Sequence, residues 1–116
     1  VIWATDQTPP NLEALNDLSP DVKSTTVANG TVFRVSRFEP GVAPRNHRTA
    51  SMDYAVVLSG QIDMELDDGE VVNLRAGDVL VQRGTVHNWT NPGTEPCIIA
   101  FVLMACPLPE ELRAEG

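Results

Sequence analysis

GVAPRNHRTASMDYAVVLSG, residues 41–60, is the stretch that decides how the chain is read. It leaves a Pro/Gly turn, passes His47 and enters a β-branched run closed by Gly60. Side chains alternate faces along a strand, so positions 47, 49 and 53 share one face where the backbone runs unbroken. His47, Thr49 and Asp53 therefore point the same way in this reading. The chain has only two histidines, and the other, His87, lies in RGTVHNWTN. A second strand carrying His87 on the same inner face would join two imidazoles to one carboxylate. Those three groups are a set that holds a divalent metal with open positions.

Outward from that stretch the sequence is strand after strand. TVFRVSRF (31–38) alternates but carries an arginine on both faces, so its period is clear and its inner face is not. After Gly60, QIDMEL sets Ile62, Met64 and Leu66 against Asp63 and Glu65. Asp68-Gly69 then signals a hairpin into VVNLR. AGD leads into VLVQR, Gly84 turns the chain before VHNWT, and CIIAFVLMAC is apolar on both faces, as a central strand should be. About eight short strands punctuated by glycine, with almost no helix, indicate an all-β sandwich or small barrel. The barrel is preferred because a ligand cluster needs an enclosed mouth. Residues 1–30 read as an N-terminal arm, 31–106 as the barrel and 107–116 as a C-terminal tail with one short helical turn. Within the arm, VIWAT is a strand candidate and Asn11 a cap for a short helix reaching Leu18.

Composition narrows the function classes. Eight basic against sixteen acidic residues give a net charge of −8, which disfavours nucleic acid and anionic membrane. No apolar run approaches the ~18 residues of a membrane span. Cys97 and Cys106 are nine apart and read as free buried thiols in a reducing, cytoplasmic setting. No CxxC or CxxH spacing suggests structural zinc. The opening VIWATD lacks an initiating methionine, which reads as a processed or omitted start and leaves a cleaved targeting segment open.

Gly41, His47, Asp53 and Gly60 resemble the first motif of the cupins, and Gly77-Asp78 through Gly84, His87 and Asn91 resemble the second. Together they cover about half the chain. The resemblance implies a double-stranded β-helix, or jelly-roll, barrel. More narrowly, HRTASMDY, LDDGE, GDVLVQRGTVHNW and FVLMAC are similar to small single-domain cupins of the conserved-barrel type, many encoded beside polyketide or aromatic-pathway enzymes. Dehydratase, isomerase or decarboxylase roles are often suggested for that group. Three positions depart from the family pattern: Thr49 replaces the second histidine, Asp53 the usual glutamate and Gln82 the usual proline. The family's four-ligand set shrinks to His47, Asp53 and His87, with Gln82 as a weak oxygen ligand or a substrate hydrogen bond.

The expected site follows. His47, His87 and Asp53 are the candidate catalytic groups and the candidate metal ligands. The cofactor is one divalent transition metal (zinc, iron, manganese or nickel), with a metal-free acid–base site as the alternative. Asp53 can instead accept a hydrogen bond from His47 or cap a turn. Thr49, Tyr54, Gln82, Trp89, Arg34 and Phe38 are candidate substrate contacts, against ordinary core packing for Trp89 and Phe38. Arg48 and Arg83 fall out of phase with the histidines and read as exposed. The expected activity is a lyase or isomerase acting on a cyclic aromatic or polyketide-type molecule. A metal-dependent dioxygenase and a non-catalytic metabolite-binding module are the alternatives. The expected partners are a small-molecule substrate and a second copy of the chain, through an exchanged N-terminal strand.

Overall fold

A computed structural model describes residues 1–7, 27, 29–41, 51–66, 69–83 and 87–106, with residue 87 described in its backbone only. Every regular element among the described residues is a strand: β1 (Trp3–Thr5), β2 (Thr31–Phe38), β3 (Ser51–Ser59), β4 (Gln61–Leu66), β5 (Val71–Arg75), β6 (Val79–Arg83), β7 (His87–Thr90) and β8 (Cys97–Ala105). They form a five-stranded sheet, β1-β2-β8-β3-β6, and a three-stranded sheet, β5-β4-β7, with all pairings antiparallel. This is the jelly-roll arrangement expected from the sequence. Among the described residues no helix is long and apolar enough to cross a membrane.

Period-two alternation decides what each strand buries. On β3, Ser51, Asp53, Ala55 and Val57 are buried, and Tyr54, Val56 and Leu58 are exposed. On β2 the ambiguity between the two arginines resolves: Val32 is fully buried and Arg34 half-buried on the inner face, while Phe33, Val35 and Arg37 face out. On β8, Cys97, Ile99, Phe101 and Leu103 are buried. This strand lies between β2 and β3, so its backbone is paired on both edges. That central place is why its sequence is apolar throughout. Ile62, Leu74 and Met64 come from the smaller sheet, and Ile62 and Leu74 join one core with Val32, Val57, Ile99, Phe101 and Leu103. Full burial of an aliphatic side chain of this kind contributes about 1.5–3 kcal/mol.

The chain changes sheets at glycine. Gly60, between β3 and β4, has φ +79°, and a Cβ there would lie 2.6 Å from the Pro96 carbonyl oxygen. Both the left-handed backbone and the close approach require glycine. Before β6 the chain turns back onto β3: Gly77 N–H donates to the Val57 carbonyl (2.8 Å), and Val57 N–H to the Asp78 carbonyl (2.9 Å). The β4–β5 hairpin forms where Asp68-Gly69 placed it, with Gly69 at φ +83°. β1, within the segment read as an arm, pairs with β2 of its own chain as the edge of the larger sheet. The proposed helix near Asn11 and the C-terminal turn lie outside the described residues.

Candidate functional site

Cross-strand register assembles the site on the inner face of the larger sheet. Val32, Leu103, Asp53 and Gln82 stand in one row across β2, β8, β3 and β6. The adjacent row is Arg34, Phe101, Ala55 and Leu80. Asp53 is 4% exposed and Gln82 5%, so a carboxylate and a carboxamide sit side by side inside the barrel. Buried polar groups of this kind need partners. Ser51 lies two residues before Asp53 on the same face, and its Oγ donates to Asp53 Oδ1 at 2.6 Å.

Gln82 spans the two sheets. Its Nε2 donates to Met64 Sδ at 3.0 Å, from β6 across the interior to β4. Its Oε1 is buried without a hydrogen-bond partner among the described residues. Met64 in turn pairs in register with Trp89 on β7. Trp89, Phe38 and Phe101 form an aromatic trio with centroids 5.9 Å (Phe38–Trp89), 6.0 Å (Trp89–Phe101) and 6.4 Å (Phe38–Phe101) apart. The Trp89 and Phe38 rings each meet Phe101 edge-on, a favourable arrangement for aromatic quadrupoles. Trp89, Phe38, Arg34, Gln82 and Asp53 therefore share the interior.

Asn91, at the end of the second motif, has a structural task. Its Nδ2 donates to the Phe38 carbonyl (3.0 Å) and the Glu95 carbonyl (2.8 Å), and its Oδ1 accepts from Gly93 N–H (2.9 Å). It fixes the β7–β8 loop against the end of β2, and so holds Phe38 at the site. Burial raises the pKa of the Cys97 thiol by desolvation, which keeps it protonated and inert. Cys97 and Cys106 are both free, as expected, but only Cys97 is buried; Cys106, just past the end of β8, is partly exposed.

Tyr54 requires correction. Placed by the sequence among the substrate contacts, it is 47% exposed on the outer face of the larger sheet. The reason is the pleat: Asp53 and Ala55 on either side point inward, so position 54 cannot. Three interior residues escaped the sequence reading. Ser51 carried a usable signal, since it stands two before Asp53. Met64 and Phe101 looked like plain core, and only the closure of the two sheets reveals them beside Gln82 and Trp89.

His47, Thr49 and Arg48 lie outside the described residues, as does the side chain of His87. The His87 backbone pairs with Leu66 at the start of β7, two residues before Trp89. Among the described residues no group of three or more His, Cys, Asp or Glu side chains forms a metal cage. What they supply toward a divalent ion is oxygen: the Asp53 carboxylate and the unpartnered Gln82 Oε1 beside it. Hard or borderline divalent ions accept such oxygen donors.

Residues 34–104 match the family model described as the cupin domain. The chain is a cupin. Over 113 residues it is 41% identical to the cupin-domain-containing oxidoreductase fogC of Aspergillus ruber, a match covering 91% of the chain and 55% of that protein. Over 66 residues it is 50% identical to phomopsin biosynthesis cluster protein C' of Diaporthe leptostromiformis, covering 57% of the chain and 35% of that protein. The cupin thus spans between about a third and three fifths of the length of the curated relatives it matches. Among solved structures it resembles a conserved protein with a double-stranded β-helix domain from Klebsiella pneumoniae, with TM-score 0.55 and 31% identity over 64% of the chain and 66% of that protein. Among these relatives, the Diaporthe protein is named for a biosynthesis cluster.

Proposed function

We propose that this cupin is an enzyme of secondary metabolism that moves protons on a cyclic aromatic or polyketide-type molecule held inside the barrel, in the manner of a lyase or isomerase. The observation that carries this reading is the buried pair Asp53–Gln82, one row from Phe101 and linked through Met64 to Trp89. Aromatic walls favour a flat, apolar substrate body. The Gln82 Oε1, unpartnered and buried, favours a ligand that brings its own N–H or O–H donor. A carboxylate in such surroundings is a candidate acid or base.

In this mechanism the substrate ring lies against Phe38, Trp89 and Phe101, with a hydroxyl donating to Gln82 Oε1. Asp53, held by Ser51, or His87 takes a proton from carbon beside a carbonyl. The remaining group of the set, with His47, returns a proton to carbon for isomerisation or to a departing hydroxyl for dehydration. Arg34, on the inner face next to Phe101, stabilises negative charge on the substrate oxygen. Where a divalent metal is bound, His47, Asp53 and His87 would hold it, and it would supply Lewis-acid stabilisation of that same oxygen.

A second reading, metal-dependent oxidation, is favoured by one observation: several relatives carry the name oxidoreductase. Solvent-deuterium exchange separates the two. Phenolic and β-dicarbonyl compounds would be incubated in D2O with the purified cupin and followed by NMR. Wash-in at carbon beside the carbonyl, lost in Asp53→Asn and His87→Ala, is the expected result. No wash-in, together with oxygen uptake that needs added iron(II), would replace proton transfer by oxidation. Conversion by neither route despite tight binding would leave a metabolite-binding module.

A further inference from the structure

Gln82 and Met64 meet across the barrel, and the chemistry of each limits the hydrogen bond they can form. Met64 lies on β4, the middle strand of the smaller sheet, between Val72 of β5 and Trp89 of β7. The described side chains that β4 and β5 turn inward are Ile62, Met64, Leu66, Val72 and Leu74. Among them only the Met64 thioether can take part in a hydrogen bond, and it can only accept. The edge of the Gln82 carboxamide that faces the sulfur at 3.0 Å is therefore the N–H edge. Turned the other way, the carboxamide would set oxygen against sulfur, two acceptors with no proton between them. The competing acceptor is the Asp53 carboxylate, opposite Gln82 on β3. Its Oδ1 already accepts from the Ser51 hydroxyl at 2.6 Å, which lowers its pull on the amide.

We propose that Met64 is a positioning residue that sets the ligand selectivity of the barrel. By holding the N–H edge of Gln82 it leaves Oε1 to the ligand, and the site selects a phenol or enol over the matching ether or ketone. This role rests on the proposed function, in which a ligand hydroxyl donates to Gln82 Oε1. A glutamine by itself carries no such preference, because its two edges are nearly alike in shape and opposite in hydrogen-bonding sense. The thioether removes that choice. Oε1 is buried without a partner among the described residues, and a ligand O–H satisfies it. A ligand that brings only an acceptor leaves two oxygens facing each other, both unpaired. The same contact tells an enol from its keto tautomer, the two species that proton transfer at carbon interconverts.

Isothermal titration calorimetry with 4-hydroxyacetophenone and 4-methoxyacetophenone tests this on the wild type, Met64→Leu and Gln82→Met. The two ketones share a ring and a carbonyl and differ in whether the para oxygen can donate. The wild type is expected to bind the phenol about tenfold or more tightly than the ether. Met64→Leu keeps the apolar volume and releases the amide. The ratio of the two affinities is then expected to fall at least about fivefold, with the ether gaining affinity. A residue that only filled space would weaken both ligands alike and leave the ratio unchanged. An unchanged ratio in Met64→Leu, with the preference lost in Gln82→Met, overturns the role of Met64 and leaves the Gln82 contact standing. A wild type that binds both ketones equally, or neither, overturns both. If Met64→Leu fails to fold, norleucine in place of methionine removes the sulfur and keeps the shape, and the same ratio decides. The other two methionines, Met52 and Met104, pair in register on the outer side of the larger sheet, away from Gln82.

Discussion

Replacing Gln82 by methionine is expected to stabilise the fold while weakening ligand binding. The Gln82 Oε1 is buried without a partner among the described residues, and the Nε2 has only a thioether acceptor, Met64 Sδ. A buried acceptor left unsatisfied costs about 1–3 kcal/mol. The weak N–H···S contact offsets only about 0.5–1 kcal/mol of that. Gln82→Met keeps the length and much of the volume of the side chain, opens no cavity and removes the orphaned oxygen. The net expectation is a gain of about 0.5–2 kcal/mol, or a rise of roughly 2–8 °C in Tm. Urea unfolding followed by circular dichroism measures it, with the midpoint moving up and the m-value unchanged. Affinity for a phenolic ligand that donates to Oε1 is expected to fall about tenfold or more. A lower midpoint at the same m-value would refute the reasoning, because it would mean that the oxygen is satisfied in the folded protein. Stability traded for a ligand contact is a common property of functional sites.

Three further outcomes follow from the backbone and the thiols. Gly60→Ala should destabilise by about 2 kcal/mol or more, since it adds strain at positive φ to the approach of Pro96 O; denaturant unfolding measures it, and a loss under about 0.5 kcal/mol would contradict the geometry. Cys97 has its pKa raised by burial, so the folded state holds that proton more tightly than the unfolded state does. Its contribution is fully present below the ordinary thiol range near ~8.5 and is lost as pH rises from there through the folded value. Cys97→Ala should flatten that alkaline loss, and in the wild type Cys106 should react with a thiol reagent well before Cys97.

Much of the architecture was legible because a strand's side-chain period is two. The inward placement of Asp53, the hairpin at Gly69 and the central position of CIIAFVLMAC all follow from local pattern and turn chemistry. Tyr54 was misread although the same pattern was available. An aromatic next to a candidate ligand looks like a wall, and the pleat sends it to the other side of the sheet. Arg34 shows where pattern runs out: TVFRVSRF carries an arginine on each face, and only pairing with Phe101 on β8 turns one of them inward.

The sequence by itself determined the all-β class, the cupin motifs, the acidic charge and the spacing that aims Asp53 inward, because each is read from composition or from spacing along the chain and none requires knowing which strands pair. Tertiary structure decided the rest. It set Gln82 beside Asp53, carried Met64 across to Gln82, closed Phe38, Trp89 and Phe101 into one cluster, and aligned Trp3 with Val81 on an apolar outer face. Those contacts join residues far apart in the chain. Strand order and register create them, and neither is written in local periodicity.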